Sequence, residues 1–385
     1  MRVSLGWASF ARMSTAIPLL FALPNASHAE IDLTRLSTWG SSTMERMAGG
    51  FSSLAGENGL RFFNGGDGGA YTDSVLAVQG SMPAELSFSA PGLGTLAGSG
   101  EVAVNIPNVQ TNPQANSWTG RLGATGVTGT VRYSATEGAW VFTASGGDLS
   151  VLEAGRNYSF LPDVGTEFAE GFQVLNLGKN DFFRSSTADE IVQWSIDTFA
   201  ALEDAEKRVL VMGHFMNEEA PYDPAIRARI LEVNQRLKDT FGDNYIDLQA
   251  YVTGAEIWED MGITPTAEDL AAQAAGYKPP SLSADLLHLT MDASRSVVDN
   301  LVAPRFRALY TEAFADVHLT AARRHLLPAL SGIAADGQGA ANRMARAERA
   351  QLFTDLVHGD QRDGSASPPW QAQAAPSGPR ARDAT

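Results

Sequence analysis

The sequence predicts an α/β fold in which a central parallel sheet carries helices on both faces and a small all-β module interrupts the alternation. Apolar, β-favouring runs alternate with segments that have the three- and four-residue spacing of an amphipathic helix, both before residue 80 and after residue 170. The first strand candidates end in glycine-containing turns. Between residues 85 and 165, short β-type runs and turns replace this pattern, which indicates an insertion.

The first strand and helix are predicted over residues 33–54. The run 33–39 suits a strand that ends at Gly40. One helix face then follows, formed by Met44, Met47, Phe51 and Leu54. Ser42 is therefore expected in the first helical turn, where free backbone N–H groups can hold an oxyanion beside a nucleophilic hydroxyl. Alternatively, Ser41, Ser42 and Thr43 only cap the helix.

A second strand candidate, residues 60–63, runs into the sequence Asn-Gly-Gly-Asp-Gly-Gly at 64–69. Residues 70–79 then have helical periodicity. Four glycines at a strand-to-helix junction allow a close backbone approach or a positive φ angle. The loop lacks the lysine and the spacing of a phosphate-binding P-loop, so by itself it predicts only a tight turn.

The insertion is predicted to be a small antiparallel β-module. Its strand candidates are residues 101–106, 128–133, 140–143, 148–152 and 158–161. Its large aromatic side chains are Trp118, Tyr133, Trp140 and Tyr158. We expect these rings to pack the core of the module rather than to form a sugar-stacking face.

The alternating pattern resumes in the second half of the chain. Strands are predicted at 172–177, 208–212 and 245–248, and helices at 188–205, 224–241 and 291–310. Ligands bind outside the carboxyl ends of such parallel strands. The turn at Ser42, the loop 64–69 and the segment 178–181 all follow strands, so we expect them at one edge of the sheet.

Charge and composition exclude several classes of function. The chain of 385 residues carries 28 basic and 44 acidic side chains, which disfavours nucleic acid and anionic membranes as partners. It has no cysteine and six histidines, so neither a disulfide framework nor a structural metal site is expected. We expect no cofactor.

The first 29 residues resemble a secretory signal peptide. They contain basic residues, a short apolar run at 15–23 and a small-x-small pattern that ends at Ala29. The mature chain is expected to begin at Glu30, to be secreted or periplasmic, and to lack an integral membrane segment. The predicted divisions are residues 1–29 (signal peptide), 30–84 and 167–316 (the two parts of the α/β domain), 85–166 (insertion) and 317–385 (mostly disordered tail).

A serine nucleophile needs a base, and only His214 and His288 belong to the predicted α/β domain. Asp285 lies three residues before His288. On a turn, this spacing lets the carboxylate hold the imidazole of His288 in one tautomer. His214 has no such carboxylate upstream and is expected to be a loop or substrate-pocket residue.

Four segments resemble the sequence blocks of the SGNH (GDSL-type) hydrolase superfamily, and they occur in that family's order. They are residues 40–42, 64–69, 178–181 and 285–288. The resemblance covers about residues 31–80 and 168–313, without the insertion and the tail. It implies a flavodoxin-like three-layer α/β sandwich and a serine esterase.

The resemblance also implies residue roles. Ser42 would be the nucleophile, His288 the base and Asp285 the residue that orients His288. The backbone N–H groups of Ser42 and Gly69 and the side-chain amide of Asn180 would form the oxyanion hole. The family usually has aspartate before its nucleophile, where this chain has Ser41, so the rigidity of the loop and the position of the substrate are expected to differ.

The implied substrate is a carboxylic ester. Export, acidity and an inserted β-module similar to the carbohydrate-binding additions of related esterases favour a short acyl group, such as acetyl, on a carbohydrate. One alternative is a lipolytic esterase or lysophospholipase. Another is a non-catalytic glycan-binding surface protein, which the presence of Ser42, Asn180, Asp285 and His288 argues against.

Overall fold

The computed structural model of the protein describes residues 31–88, 101–110, 117–184, 186–217 and 223–315. The predicted signal peptide at 1–29 and the predicted tail at 317–385 lie outside the described residues.

Strands in the described part of the chain form two separate sheets. In chain order they are β1 (Arg35–Gly40), β2 (Arg61–Gly66), β3 (Ala84–Phe88), β4 (Glu101–Asn105), β5 (Trp118–Leu122), β6 (Thr128–Ser134), β7 (Ala139–Gly146), β8 (Asn157–Pro162), β9 (Phe172–Asn176), β10 (Val209–Met212) and β11 (Tyr245–Ile246). The first sheet has the order β11-β10-β9-β1-β2, and all its strands are parallel. This is the strand order of a flavodoxin-like sheet, which confirms the predicted fold class.

Helices follow the strands of the parallel sheet. They are α1 (Ser42–Glu57), α2 (Thr72–Gln79), α3 (Asp163–Phe168), α4 (Ala188–Ala201), α5 (Ala205–Arg208), α6 (Pro224–Phe241), α7 (Leu248–Val252), α8 (Glu256–Met261), α9 (Ala267–Ala274) and α10 (Met291–Ser296). A π-helical turn at Val297–Val302 extends α10 into a further α-helical segment at 303–315. The predicted helix 291–310 is therefore present with one irregular turn.

Both faces of the parallel sheet are covered. Met44 and Phe51 of α1 share a core with Phe306 and with one set of strand side chains, among them Val174. Leu175, the next residue along β9, belongs to a second core on the opposite face, which α2, α4 and α6 cover. Successive strand side chains point to opposite faces, so the buried runs of the sequence become the two apolar layers of a three-layer sandwich.

The order of the strands reverses between β1 and β9. These two strands are neighbours in the sheet, with Gly40 opposite Asn176, although β2 follows β1 in the chain. At such a reversal the connections leave the two strands on opposite sides, and a crevice opens at their carboxyl ends. The residues that follow β1 and β9 therefore lie where an α/β sheet usually binds its ligand.

The insertion forms a closed antiparallel barrel with the strand order β3-β4-β7-β6-β5-β8. Its strands run from Ala84 to Pro162, so the first of them begins one residue before the predicted insertion. Trp118 and Trp140 are 3% and 4% exposed and lie in its core, with ring centroids 5.1 Å apart. These two rings pack the core, as expected, and offer no sugar-stacking face.

Three local predictions were wrong. Residues 148–152 form a 3₁₀ turn at Leu149–Val151, because the Asp148 carboxylate accepts the N–H of Ser150 and stabilises the turn. The helix predicted over 188–205 ends at Ala201, before the left-handed Asp204. The last strand is only Tyr245–Ile246, because Asp247 caps α7 through the N–H of Ala250.

In the part of the chain that the structure describes, no helix has the length and apolar character needed to cross a membrane.

Candidate active site

Ser42 is the first residue of α1, directly beyond the carboxyl end of β1. The turn needs glycine at position 40, because a Cβ atom there would lie 2.5 Å from Cγ of Met44 and 2.7 Å from the carbonyl oxygen of Asn176. Ser41 is buried, and its side chain makes no capping hydrogen bond. Ser41 therefore does not act as a helix cap. Ser42 is half-buried, and it lies at the crevice.

His288 lies against the Ser42 hydroxyl. Its Nε2 atom is 2.9 Å from Oγ of Ser42, and its Nδ1 atom is 2.9 Å and 2.8 Å from the two carboxylate oxygens of Asp285. A carboxylate only accepts hydrogen bonds, so Nδ1 carries a proton, and in the neutral form of the ring Nε2 is then an acceptor. In this tautomer the Ser42 hydroxyl donates to His288.

Asp285 is fixed by backbone as well as by the imidazole. One of its carboxylate oxygens accepts the N–H groups of Leu287 and His288, at 2.8 Å and 2.9 Å. Partial burial acts to raise the pKa of Asp285, but the hydrogen bonds from the His288 ring and from these two N–H groups outweigh it and lower the pKa to about 2. Asp285 is therefore ionised at neutral pH and suited to stabilise an imidazolium.

Gly69 belongs to the loop that follows β2. This loop lies across the start of α1, since the N–H of Asp67 donates to the carbonyl of Gly40 at 3.1 Å, and a Cβ atom at Gly66 would collide with the backbone of Glu45. Gly69 has a φ angle of 76°, in the left-handed region that favours glycine. The glycines of the loop 64–69 thus allow it to approach the helix that carries Ser42.

Asn180 follows β9, on the other side of the strand reversal. Its side-chain amide donates to the carbonyl of Ala70 at 2.8 Å, which links it to the residue after Gly69. The neighbouring Asp181 carboxylate accepts the N–H and the hydroxyl of Thr72, at 3.1 Å and 2.8 Å. The amide of Asn180 has a second N–H group, which can donate a hydrogen bond to a substrate oxygen.

The predicted site residues therefore fall into two groups. Ser42, His288 and Asp285 form one continuous chain of hydrogen bonds. Gly69 and Asn180 lie in two loops that are hydrogen-bonded to each other, at the same edge of the sheet as Ser42. This combination offers a hydroxyl paired with a neutral base and, nearby, N–H donors on separate loops.

His214 is not a substrate-pocket residue. It is 1% exposed, its Nε2 atom donates to the carbonyl of Leu177 at 2.9 Å, and its ring packs edge-on against Phe182. Burial lowers its pKa to about 3, with a further contribution from the charge of Lys179 and an opposing one from the Leu177 carbonyl. His214 is a neutral structural residue in the loop after β10, so of the two predicted alternatives the loop is confirmed and the substrate pocket is wrong.

Sequence reasoning missed two lysines and an arginine beside the site. Lys278 is buried, and its ammonium group donates to the carbonyls of Asp285 and His288. Lys179 is buried next to Asn180, and burial, with the charge of Lys278, lowers its pKa to about 7. Arg46, one helical turn after Ser42, has a guanidinium nitrogen 3.6 Å from the Asp285 carboxylate. The lysines bond mainly to backbone oxygens, which leave no side-chain pattern, and Arg46 is far from Asp285 in the chain.

No cluster of three or more histidine, aspartate or glutamate side chains suited to a metal occurs among the described residues.

Comparison with solved structures finds distant similarity. No family model matches the chain, and no curated protein matches it. A protein from Bacteroides fragilis that carries the name acylhydrolase is similar in structure, with 13% identity and a TM-score of 0.38, over 74% of this chain and 93% of that one. A lipolytic G-D-S-L family protein from Veillonella parvula has 10% identity and a TM-score of 0.33, over 69% and 94% of the two chains.

A peptidoglycan O-acetylesterase is also similar, with 12% identity and a TM-score of 0.28, over 72% of this chain and 92% of that one. At these identities and scores, the similarities carry no functional assignment. A function for this chain has to be argued from its own fold and from the geometry of its site.

Proposed function

We propose that the protein is a serine hydrolase of the SGNH type that cleaves carboxylic esters. The observation that carries this proposal is the chain of hydrogen bonds from Ser42 through His288 to Asp285, located at the strand reversal of the sheet. A hydroxyl, a neutral imidazole and an ionised carboxylate in this order are the parts of a Ser-His-Asp triad.

In the first half of the proposed reaction, Ser42 Oγ attacks the ester carbonyl carbon and its proton passes to His288 Nε2. Asp285 stays ionised and stabilises the imidazolium. The negative charge on the carbonyl oxygen of the tetrahedral intermediate is held by the N–H groups of Ser42 and Gly69 and by the Asn180 amide. His288 then donates its proton to the departing alcohol, and an acyl group remains on Ser42.

In the second half, water replaces the alcohol. His288 takes a proton from the water, the resulting hydroxide attacks the acyl carbon, and the same N–H donors hold the second oxyanion. Collapse of this intermediate breaks the bond to Ser42 Oγ, which regains its proton from His288. The products are a carboxylic acid and an alcohol, and the reaction consumes one water.

For the substrate, we propose a short acyl ester, most simply acetyl, on a carbohydrate. Support for the carbohydrate comes from the acidic composition and from the predicted export. With Trp118 and Trp140 buried, the barrel would influence the choice of ester through its loops rather than through stacking on these rings.

One observation favours the lipolytic alternative. Leu286, Leu287 and Met291 lie on either side of His288 in the chain, and they are 50%, 40% and 58% exposed. Exposed apolar side chains close to a nucleophile can accept a long acyl chain along the surface. Parallel assays with an aryl acetate and an aryl palmitate separate the two substrates, because turnover of the acetate alone excludes the lipolytic reading.

Export is part of the proposal. Residues 1–29 have the charge, apolar run and cleavage pattern of a signal peptide. Expression in a bacterial host followed by N-terminal sequencing of the periplasmic or secreted fraction should give a chain that begins at Glu30. Retention of the full-length chain in the cytoplasm contradicts export without affecting the proposed chemistry.

The direct test compares two adjacent serines. Ser42→Ala should abolish hydrolysis of an aryl acetate and leave the melting temperature nearly unchanged. Ser41→Ala is the matched control, because the Ser41 hydroxyl is buried without a hydrogen-bond partner and its removal should preserve both activity and stability. A fluorophosphonate probe should label the wild type once, at Ser42.

The possible results have distinct meanings. Labelling of Ser41, or turnover by the Ser42→Ala protein, shows that the nucleophile is misassigned. The proposal that the protein is an enzyme is contradicted if the folded wild type reacts with no probe at any serine and hydrolyses none of the esters. If the enzyme is supported, acetate release from a panel of acetylated glycans and peptidoglycan identifies the substrate class.

A further inference from the structure

Two of the four lysines of the chain are buried beside the candidate site. Lys278 has no exposed surface and Lys179 is 5% exposed. Lysine is rarely buried so completely, because removing an ammonium group from water costs several kcal/mol unless strong hydrogen bonds compensate. The positions of these groups therefore need an explanation that packing alone does not give.

The ammonium group of Lys278 binds the backbone of the turn that carries Asp285 and His288. It donates to the carbonyl oxygen of Asp285 at 2.6 Å and to that of His288 at 2.8 Å. The N–H of Ala284 also donates to the His288 carbonyl, at 3.0 Å. The Lys278 ammonium group thus links the first and the last residue of the turn through their carbonyl oxygens. Within the turn, the Asp285 carboxylate accepts the N–H groups of Leu287 and His288.

Lys278 is itself attached to the segment 215–217. Its backbone N–H donates to the carbonyl of Met216 at 3.1 Å. From the other side, the ammonium group of Lys179 donates to the carbonyl of Phe215 and to the side-chain oxygen of Asn217, both at 2.8 Å. Lys179 directly precedes Asn180, so the segment 215–217 connects the loop of the proposed oxyanion donor to the loop of the proposed base.

The geometry points to Lys278 as a positioning residue that holds the Asp285–His288 turn against Ser42, with Lys179 fixing the Asn180 loop to the same segment, 215–217. This inference rests on the proposed function, because it concerns the proposed base. Hydrogen bonds from a charged donor are about twice as strong as neutral ones. A displacement of about 1 Å at a reacting group can cost about 10²-fold in rate.

The inference distinguishes the two lysines. Lys278 contacts the turn that includes the base, whereas the bonds of Lys179 described above go to Phe215 and Asn217. Lys179 is therefore a matched control, a second buried lysine in the same region of the fold. If buried lysines matter here only for stability, replacing either one should have the same consequences for the imidazole of His288.

The experiment compares Lys278→Met and Lys179→Met in the full chain, because methionine has a similar length and no charge. The first readout is steady-state hydrolysis of an aryl acetate. Lys278→Met should lower kcat by about 10–100-fold, with KM within about threefold of the wild type, since the base loses its position and the substrate contacts remain. Lys179→Met should also lower kcat, because it releases the Asn180 loop, so the second readout is the one that distinguishes the two lysines.

The second readout does not depend on turnover. The proton on Nδ1 of His288, bound to the Asp285 carboxylate, should give a low-field NMR signal that is absent from a His288→Gln protein. Lys278→Met should weaken or shift this signal, and Lys179→Met should preserve it. If the wild type proves inactive, this signal still tests whether Lys278 orders the Asp285–His288 pair, so failure of the proposed function and failure of this inference are separate results.

Unchanged kcat and an unchanged His288 signal in Lys278→Met overturn the inference. Equal loss of the signal in both lysine variants also overturns it, because that result assigns both lysines to stability alone. Should Lys278→Met not fold, Lys278→Gln takes its place, since the glutamine amide keeps N–H donors but lacks the charge and the length to reach both carbonyls. The value of kcat and the His288 signal of Lys278→Gln then test the inference in the same way.

Discussion

The Oγ atom of Ser42 and the Nε2 atom of His288 lie 2.9 Å apart, although 246 residues separate them in the chain. The two residues come from opposite ends of the α/β domain. Ser42 is placed by the turn between β1 and α1, and His288 by the turn before α10. Their contact depends on the packing of α1 against α10 and the π-helical turn that follows it, where Val298 fills the space left by Gly50.

Replacing Asp285 with asparagine should lower kcat by about 10⁴-fold, the cost known for the corresponding change in a serine protease triad. The amide can present an N–H to the imidazole and stabilise the wrong tautomer of His288. The carboxylate also binds the N–H groups of Leu287 and His288, so circular dichroism and the melting temperature should be measured alongside kcat. A variant with nearly full activity contradicts the triad.

Asn180→Ala should lower kcat by about 10²–10³-fold, the usual cost of one oxyanion donor. The substitution also removes the hydrogen bond to the Ala70 carbonyl, which leads to some loss of stability. Asn180→Asp is the matched variant, because it keeps the size of the side chain and places a negative charge beside the oxyanion. It should be less active than Asn180→Ala, and the opposite order argues against Asn180 as a donor.

The sequence was sufficient to predict the fold where local signals agree. The helix predicted at 224–241 is observed over the same residues, because Asp223 caps it, Pro224 begins it and its apolar positions face the core. The strand β5 was missed because Gly120 occupies the middle one of its three buried positions, which leaves only Trp118 and Leu122 as large apolar residues. Closure of the barrel depends on pairing between distant strands, which local periodicity does not encode.

In the candidate site, too, contacts within one turn were predictable from local sequence and contacts between distant segments were not. Asp285 and His288 were predicted as a pair because they are three residues apart, within reach of one turn. The contact between Ser42 and His288 followed only from the resemblance in sequence blocks, since their spacing in the chain carries no geometric information. Lys278 was not found, because its hydrogen bonds to Asp285 and His288 go to backbone carbonyls, which any residue has.

Trp140→Ala should destabilise the protein by about 3–5 kcal/mol, as expected when a large aromatic side chain is removed from a packed core. Its effect on turnover should be the same for an aryl acetate and for an acetylated glycan, because the ring does not face a substrate. Trp140→Phe is the milder control, since the buried indole nitrogen of Trp140 makes no hydrogen bond. A selective loss of glycan turnover, with the melting temperature unchanged, contradicts the core assignment.

The last prediction concerns acid stability and His214. Burial first, and then the charge of Lys179, lower the folded-state pKa of His214 to about 3, whereas an unfolded histidine titrates near 6.5. Between these two values the unfolded chain binds a proton that the folded protein does not, so the free energy of unfolding must fall as the pH falls below about 6.5. For His214 alone the loss should reach about 2–3 kcal/mol at pH ~4.5. Urea denaturation of the wild type at several pH values should show the free energy of unfolding falling as the pH falls below about 6.5. In His214→Gln the fall should be smaller by the contribution of His214. Parallel pH dependence in the two proteins contradicts the buried, neutral state of His214.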